Sequence, residues 1–341
     1  MNGRALFLSL LSSIVAIGCS SDDKLLSSYD LRGNTMGTTY LVTLVAPPAD
    51  TDLEQLQSSI QGKLEHIENI ASTYRSDSEL SRFNANPSTE WVAVNPEFCD
   101  MIAAAQDVSE TSGGAFDITV GPLVNLWGFG PTHSEQELPT DEEVAAARLK
   151  VGNLKLQTDC EQSQVRKTIA DVYVDLSGWA KGYAVDEVAA LLDASQLTNY
   201  LVEIGGELRV SGHNAEQQKF AIAVEKPLQN NTMDYSVVRL SDVAVATSGD
   251  YRNFYEHDGQ RYSHTIDPRT GRPVTHDLTG VTVVTESTAY ADAMATALLV
   301  LGPEEGHELA EQLDLASYFL VRTDQGIEEI TTSQFAQLRK Q

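Results

Sequence analysis

Side chains that could do chemistry are concentrated in residues 247–273. This stretch has few aliphatic residues, and its polar and aromatic members include Asp250, Arg252, Asn253, Tyr255, His257, Tyr262, His264 and Asp267. A core segment would not have this composition, because polar groups cost free energy to bury unless each finds a partner. Its aromatic rings could stack on a planar ligand and its imidazoles could move protons, which predicts a wall of a binding site. The alternative is a long hairpin closed by the turn at residues 267–271.

Asp292 and Thr296 form a second candidate group. Their i, i+4 spacing places a carboxylate and a hydroxyl on one face of a predicted helix that is otherwise small and apolar. An oxygen-only pair without His or Cys suits a hard cation, which takes its remaining ligands from water and substrate phosphates. The alternative is an aspartate favoured near a helix start by the helix dipole, with the threonine incidental.

Two glycine-containing stretches could contact a ligand as well. Asp117 and Thr119 follow the flexible pair Gly113 and Gly114, and residues 175–182 end a predicted strand and begin a helix. Turns from strand to helix present backbone amides to anions, so a phosphate could bind there with Lys181 nearby. A plain helix cap by Ser177 is the alternative for that turn.

The elements that must position these residues alternate between strands and helices without a repeat. Predicted helices begin at Thr51, at Asn95–Pro96 and at Thr140, and others cover residues 179–194, 287–301, 303–313 and a short terminal segment. Predicted strands cover a pair within 29–46, then 165–176, 199–204, 207–211, 219–225, 235–240, 243–247, 261–266, 279–285 and 316–321. Strands outnumber helices and occur in adjacent runs, which indicates an α+β fold. No GxGxxG follows a strand, so a Rossmann nucleotide site is not supported.

Composition limits the classes of partner. The formal net charge is −26, and no basic run is longer than a dipeptide. Nucleic acid and anionic membrane surfaces both require clustered Lys and Arg, so we expect neither as a partner. Cys99 and Cys160 are far apart in the sequence and are not part of a CxxC motif. An exported compartment permits a disulfide between them, but the expectation is that they stay unpaired and bind no metal.

The first residues are typical of an export signal. Arg4 gives a positive start, Ala5 to Ile17 form an apolar run too short to span a membrane, and Gly18 precedes Cys19. This resembles a bacterial lipobox, although Ala16 stands where Leu is usual. The sequence therefore predicts a signal peptide at 1–18, a lipid anchor at Cys19 on a tether at 19–28, and one domain at 29–341. Ordinary secretion, with Cys19 lost or unmodified, is the alternative.

Several dispersed motifs, taken together and in order, resemble the ApbE family of periplasmic flavin transferases. They are TMGT at 35–38, AFDITVGPLV at 115–124, DLSG at 175–178, TSG at 247–249, SHTIDP at 263–268 and DAMAT at 292–296. The resemblance runs from about residue 30 to residue 338. It implies a fold like the T-fold, with mixed sheets flanked by helices. It also implies a lipid-anchored periplasmic protein. The family favours the inner membrane, and Ser20 after the lipid cysteine does not exclude the outer membrane.

The resemblance further implies the reaction and its ligands. Such a protein would use Mg²⁺ to split the pyrophosphate of FAD, attach FMN to a Thr or Ser hydroxyl in an Asp-x-x-Ser/Thr-Gly-Ala-Ser/Thr motif, and release AMP. The acceptors would be subunits of membrane electron-transfer complexes, such as the sodium-pumping NADH:quinone oxidoreductase or related complexes. Matched by motif, the FAD site would be lined by Met36, Tyr74, Ala115, Phe116, Asp117, Asp175, Lys181 and Ile266. The metal would be held by the carbonyl of Gly178 with Asp292 and Thr296.

Two positions depart from the family pattern. Gly178 stands where Ala or Thr is common, a change that a backbone carbonyl ligand tolerates, and Lys181 is acidic in some members.

His264 is the candidate general base, because the pKa of an imidazole is ordinarily near ambient pH and the acceptor hydroxyl must lose its proton. A core histidine with satisfied hydrogen bonds is the alternative. An FAD pyrophosphatase would use the same metal site with water as acceptor, and a non-catalytic flavin-binding lipoprotein would not need Asp292 or Thr296.

Overall fold

The structure is a computed structural model that describes residues 25–130, 138–227, 233–250, 254–257 and 260–340. The predicted signal peptide, Cys19, Arg252 and Asn253 lie outside these ranges. No helix among the described residues is long and apolar enough to cross a membrane. At the end of the predicted tether, the amide of Leu26 donates a hydrogen bond to the carbonyl of Ala215, so the chain meets the domain just before the first strand.

Strands occur in adjacent runs, with helices between the runs, as the α+β prediction requires. The strands are β1 (Ser28–Thr35), β2 (Thr38–Val45), β3 (Val92–Ala93), β4 (Leu156–Asp159), β5 (Gln164–Lys167), β6 (Tyr200–Ile204), β7 (Glu207–Ser211), β8 (Phe220–Pro227), β9 (Met233–Leu240), β10 (Val243–Gly249), β11 (Phe254–His257), β12 (Gln260–Ser263), β13 (Ile266–Asp267), β14 (Arg272–Pro273), β15 (Leu278–Thr285), β16 (Ala316–Thr323) and β17 (Gly326–Thr331). The helices are α1 (Leu53–Ala71), α2 (Glu79–Ala85), α3 (Pro96–Thr111), α4 (Gly121–Leu126), α5 (Asp141–Arg148), α6 (Ala180–Ala194), α7 (Thr288–Gln312) and α8 (Ser333–Leu338).

One large antiparallel sheet organises the fold. Its eight strands follow the order β1-β2-β6-β7-β10-β15-β16-β17, and each neighbouring pair is antiparallel. One face of the sheet packs on helices, with α1 and α6 over β1, β2 and β6, and α7 over β10 and β15; α3 packs against α7. The hairpin of β8 and β9, together with α8, packs on the other face. The sheet is therefore covered on both faces, with the helices that carry the candidate residues on one of them.

Helices α6 and α7 touch along their backbones. A Cβ added to Gly182 would lie 2.4 Å from the carbonyl oxygen of Thr288, so only glycine allows this approach. Beside it, the carboxylate of Asp186 on α6 accepts hydrogen bonds from the amides of Thr288 and Ala289 at 2.9 and 3.1 Å. These amides belong to the first turn of α7, where N–H groups have no partner within the helix. The contact fixes the start of α7 against α6.

The predicted helices at 287–301 and 303–313 are the two halves of α7. They meet at Gly302, whose φ of 85° and ψ of −177° are not helical, and Pro303 follows directly. A side chain at this φ would be strained, and a Cβ there would also lie 2.9 Å from the ring of His276. Glycine is therefore required at the bend.

The strand predicted at residues 165–176 is wrong beyond Lys167, where β5 ends. The alternation that suggested a strand is real, since Val172, Val174 and Leu176 are all buried. The backbone, however, does not pair with a strand there. The side chain of Asn84 bonds both the amide and the carbonyl of Val174, each at 2.8 Å. An amide side chain has replaced a sheet neighbour, so the segment is extended without being a strand.

The expectation that Cys99 and Cys160 stay unpaired is also wrong. They form a disulfide with a Cα–Cα distance of 5.6 Å, which lies within the usual range for such bonds. Cys99 is buried on α3, and Cys160 directly follows β4 in the small sheet β3-β5-β4. Because α3 packs against that sheet, two residues that are 61 positions apart in sequence become neighbours.

Candidate active site

A cavity of about 1040 Å³ lies beside α6, α7 and the large sheet. All the predicted site residues except Met36 line it, namely Tyr74, Ala115, Phe116, Asp117, Asp175, Gly178, Lys181, His264, Ile266, Asp292 and Thr296. These residues come from five separated parts of the chain, so folding brings together dispersed motifs.

One end of the cavity, here called the charged end, consists of Lys181, Glu207 and Asp292. The ammonium of Lys181 lies 3.3 Å from a carboxylate oxygen of Glu207 and 3.5 Å from one of Asp292. Each carboxylate residue is only 4% exposed. The pKa of Glu207 is raised to about 8, chiefly by burial and also by the charge of Asp292, while Lys181 opposes both. Burial acts to lower the pKa of Lys181, but the charges of Asp292 and Glu207 outweigh it and raise that pKa overall.

The charged end fits a hard cation. The predicted ligands are a carboxylate on Asp292, a hydroxyl on Thr296 and the carbonyl of Gly178, all of them oxygen donors. The Thr296 hydroxyl lies 3.0 Å from the hydroxyl of Ser248, and a Cβ on Gly178 would lie 3.5 Å from it. Two buried carboxylates face one ammonium, and one oxygen of Glu207 is buried without a hydrogen-bond partner. Because its pKa is raised, Glu207 holds a proton near neutral pH, and a divalent ion bound beside it would favour the ionised carboxylate instead. Across the described ranges, no group of three His, Cys, Asp or Glu side chains could hold a metal, so the predicted site depends on other oxygens.

The start of helix α6 has no side-chain cap. Asp175 accepts hydrogen bonds from the amide of Ser177 at 2.9 Å and from its hydroxyl, which holds the turn in place. The capping residue of α6 is Trp179, and it makes no side-chain cap bond, so the helix cap by Ser177 is not formed. The amides of Trp179 and Ala180 donate to the carbonyl of Leu176 at 2.9 and 2.8 Å, so the next amides of the first turn of α6 are the ones that could meet an anion beside Lys181.

Asp117 also shapes its loop. It accepts bonds from the amide and hydroxyl of Thr119 at 2.8 and 2.6 Å, and that hydroxyl accepts the amide of Gly152 at 2.7 Å. Burial raises the pKa of Asp117, and the bonds from Thr119 oppose this. The neighbouring ring of Phe116 would lie 3.1 Å from a Cβ on Gly178, so this loop and the turn before α6 are in close contact.

Two of the residues predicted to bind FAD lie at the rim of the cavity or outside it. Tyr74 is 77% exposed at the rim of the cavity. Met36 does not line the cavity. It sits at the turn between β1 and β2 with a φ of 49°, and its amide donates to the carboxylate of Glu68 at 2.6 Å.

The other side of the cavity is an aromatic wall made of Phe129, Tyr255, Tyr262 and His264. Tyr255 stacks between Phe129 and Tyr262, with ring centroids 5.2 and 5.4 Å apart, and the edge of His264 meets Phe129 at 6.3 Å. Phe129, Tyr255 and His264 line the cavity, together with the exposed ring of Phe254. The hairpin predicted for residues 247–273 occurs as two short ones, β11–β12 and β13–β14, and Tyr255 and Tyr262 stand on the first of them. That this wall binds a ligand stays a prediction.

Not every residue predicted for that wall reaches the cavity. Asp250, His257, Tyr262 and Asp267 are absent from its lining. Asp250 is buried, which raises its pKa, and its carboxylate lies 3.4 Å from Arg261. Asp267 bonds the amide and the guanidinium of Arg269 and so stabilises its own turn.

Sequence reasoning missed Glu207, Ser248 and Phe129. Glu207 follows Gly205 and Gly206, and an acid after two glycines at a strand end is the pattern that identified Asp117. That signal was present and could have been used. Phe129 had no comparable signal, because its stacking partner Tyr255 is far away in the sequence.

Several known proteins are similar to this chain in sequence and in architecture. The model of the ApbE family matches residues 36–319. The chain is 42% identical to the FAD:protein FMN transferase of Vibrio cholerae, over 97% of this chain and 98% of that protein. Among solved structures, the flavin transferase ApbE from Vibrio cholerae superimposes with a TM-score of 0.86 at 42% identity, covering 92% of this chain and 99% of the other. The apo form of the Pseudomonas stutzeri flavinyl transferase ApbE gives a TM-score of 0.86 at 39% identity, covering 93% and 98%.

Proposed function

The chain belongs to the ApbE family, and we propose that it is an FAD:protein FMN transferase. It would move FMN from FAD to a Thr or Ser hydroxyl of an acceptor protein and release AMP. The observation that carries the proposal is that one cavity holds the buried cluster of Lys181, Glu207 and Asp292, a helix start without a side-chain cap, and an imidazole. Splitting a pyrophosphate requires position and charge neutralisation more than covalent help from the protein, and these groups supply both.

Lys181 and the later amides of the first turn of α6 are the groups that would bind the pyrophosphate. Both lie at the turn that Asp175 holds in place, so they are positioned before substrate arrives. Asp292, Thr296 and the carbonyl of Gly178 would hold Mg²⁺, which when bound neutralises charge on the phosphate oxygens. The hydroxyl of Ser248, 3.0 Å from that of Thr296, orients the threonine.

His264 is the group that would take the proton of the acceptor hydroxyl. A bond forms between the acceptor oxygen and the FMN phosphorus, the bond from that phosphorus to the AMP oxygen breaks, and the proton passes to the imidazole. Phe129 packs against the imidazole and limits its rotation. The aromatic wall also excludes water, which would otherwise compete with the acceptor as nucleophile.

A single incubation tests the proposal. The mature protein is mixed with FAD, Mg²⁺ and a peptide that carries Asp-x-x-Thr-Gly-Ala-Thr, and the products are read by mass spectrometry. We expect FMN attached to the peptide threonine, with AMP in equal amount, and no product when EDTA replaces Mg²⁺. Free FMN and AMP without peptide modification would instead identify an FAD pyrophosphatase. FAD that is bound but unchanged would identify a flavin-binding lipoprotein.

We further propose export to the periplasm and lipid anchoring at Cys19. The support is the short apolar run that ends in Gly18 and Cys19. Acceptors would then be the exported parts of membrane electron-transfer complexes. Fractionation of Cys19→Ala checks this, because loss of the anchor should release the protein from the membrane. A variant that is processed and retained like the unchanged protein would contradict lipidation.

A further inference from the structure

Glu207 is a buried carboxylate at the charged end that has no part in the proposed reaction. It is 4% exposed, and one of its carboxylate oxygens has no hydrogen-bond partner. The cation is assigned to Asp292, Thr296 and Gly178, and the proton of the acceptor to His264. Burying an ionisable group is costly unless something compensates for the lost water. The place of Glu207 in the cavity lining therefore calls for a function of its own.

The turn between β6 and β7 fixes the position of Glu207. Glu207 is the first residue of β7, directly after Gly205 and Gly206. The amide of Gly206 donates to the carboxylate of Glu203 at 2.7 Å, and the amide of Gly205 donates to the carbonyl of Thr39 on β2 at 3.3 Å. The turn is thus tied to the large sheet. Glu207 is held by that sheet, whereas the other two members of the charged end stand on α6 and α7.

Lys181 lies between this turn and α7. Its stem passes close to the turn, because a Cβ on Gly205 would lie 3.4 Å from Cδ of Lys181. Its ammonium then reaches Glu207 at 3.3 Å and Asp292 at 3.5 Å. The side chain of Lys181 is 28% exposed, whereas the side chains of both carboxylates are 5% exposed. Lys181 is therefore the most accessible member of the charged end, and the carboxylates are its buried partners.

The proposed cation and the ammonium of Lys181 need the same carboxylate. Asp292 is the only carboxylate among the proposed metal ligands, and it is already paired with Lys181. Like charges repel strongly where water is excluded. A divalent ion can therefore bind Asp292 well only if the ammonium turns away or is neutralised by another negative group. Among the described residues, Glu207 is the other carboxylate within ion-pair distance of that ammonium.

We infer that Glu207 is a positioning residue, which holds the ammonium of Lys181 away from Asp292 when the cation binds. The inference rests on the proposed function and on its metal site. The oxygen of Glu207 without a partner is the acceptor that the ammonium gains when it turns from Asp292. Lys181 then keeps a charged partner in both states, and Asp292 is left to the ion. The ammonium stays beside the start of α6, where the pyrophosphate would bind.

A role as a metal ligand would require the opposite behaviour of Lys181. One oxygen of Glu207 faces the ammonium at 3.3 Å and the other is buried, so an ion could take this carboxylate only by displacing Lys181. A positioning residue needs Lys181 to stay, whereas a ligand needs it to leave. Substitution of Lys181 therefore separates the two roles.

A double-mutant cycle with Glu207→Gln and Lys181→Met tests the inference through Mg²⁺ affinity. The mature, FAD-free protein, both single variants and the double variant are titrated with MgCl₂, and Kd is taken from the rise in Tm. The titration is run at about pH 9, above the pKa of Glu207 of about 8, so that the carboxylate is ionised before the ion is added. The Tm without Mg²⁺ shows that each variant is folded.

The expected result is a strong coupling between the two residues. Lys181→Met should lower the Kd for Mg²⁺, because the ammonium no longer competes for Asp292. Glu207→Gln should raise that Kd about tenfold in the unchanged protein and less than about threefold in the Lys181→Met background. Equal factors in the two backgrounds would make Glu207 a ligand or a simple source of charge, and would overturn the inference. Weaker Mg²⁺ binding in Lys181→Met would overturn it as well.

Glu203→Gln is the matched control from the same turn. It removes one negative charge from the cavity lining but keeps a side-chain oxygen that can accept the amide of Gly206. We expect its Kd for Mg²⁺ to change less than about threefold, and a change as large as that of Glu207→Gln would refute the positioning role. If Mg²⁺ stabilises none of the proteins, the metal site itself is refuted. An additive cycle in a protein that still transfers FMN would refute only the role of Glu207.

Discussion

The two ends of the cavity are built in different ways. Lys181 and Asp292 of the charged end stand on α6 and α7, which the Asp186 contacts join, and Glu207 begins a strand of the large sheet. In the aromatic wall, Tyr255 and Tyr262 stand on four-residue strands outside that sheet, Phe129 and His264 lie in connections, and the ring of Phe254 beside them is 43% exposed. Buried charges need fixed partners, because an unpaired one costs several kcal/mol. Stacked rings tolerate exposure and small shifts.

This difference suggests a division of labour between the ends. The phosphates and their cation need one fixed geometry, which long elements provide. The acceptor is a separate protein that must enter and leave, and short strands at the rim allow room for it. We therefore expect abrupt losses from changes at the charged end and graded ones at the aromatic wall, with His264 as the exception.

The largest effect should follow from Asp292→Ala. This change removes the only carboxylate among the proposed metal ligands, and we expect transfer to fall by about 10⁴-fold or below detection. The fold should persist, since Lys181 keeps Glu207 as a partner. Glu304→Ala on the same helix is the control, because Glu304 is exposed. Near-normal rates with Mg²⁺ in Asp292→Ala would remove the metal site from the proposal.

His264→Ala should cost turnover but leave FAD binding intact. Loss of the proton acceptor should lower kcat by about 10³-fold, since proton transfer acts on the chemical step. Single-turnover rates and FAD titration measure the two quantities separately. His257→Ala is the matched control, because His257 is exposed and does not line the cavity. If FAD affinity falls as far as turnover, His264 is a binding residue. It is then no exception to the graded losses expected at the aromatic wall.

Glu207→Gln should change how stability depends on pH. The folded-state pKa of Glu207, about 8, is above its ordinary value. The folded protein therefore holds this proton where the unfolded chain has lost it, and stability from this group decreases as pH rises from about 4.5 to about 8. In metal-free buffer, the Tm of Glu207→Gln should fall less over that window than the Tm of the unchanged protein. Parallel Tm curves would show that Glu207 titrates normally.

Tyr255→Ala should have the smallest effect. It removes the middle ring of the stack, and aromatic pairs contribute about 0.5–1.5 kcal/mol beyond their burial. We expect a several-fold loss in kcat/KM and retained Mg²⁺ dependence. A loss as large as that of Asp292→Ala would contradict the division between the two ends.

Local patterns in the sequence predicted much of this structure. The Thr140 and Glu143 capping box forms as expected, and Asn95 caps the helix that begins at Pro96. Five of the six motifs contribute residues to one cavity, and all of these except DAMAT, which lies within α7, are at or next to element boundaries, where turn chemistry is visible in the sequence. Features that depend on distant neighbours were missed. The pairing of Asn84 with Val174 and the bond between Cys99 and Cys160 both arise from tertiary packing, and neither leaves a local pattern.

Because of the Cys99–Cys160 bridge, the number of free thiols in the purified protein depends on the compartment in which it was made. The chain has three cysteines, and two are in the bridge. A thiol reagent should therefore find at most one reactive group per molecule, at Cys19, and none once that sulfur carries a lipid as a thioether. Material made in a reducing cytosol, where disulfides seldom persist, should give a count of up to three under unfolding conditions. Thiol stoichiometry thus distinguishes exported and lipidated protein from protein that never left the cytosol.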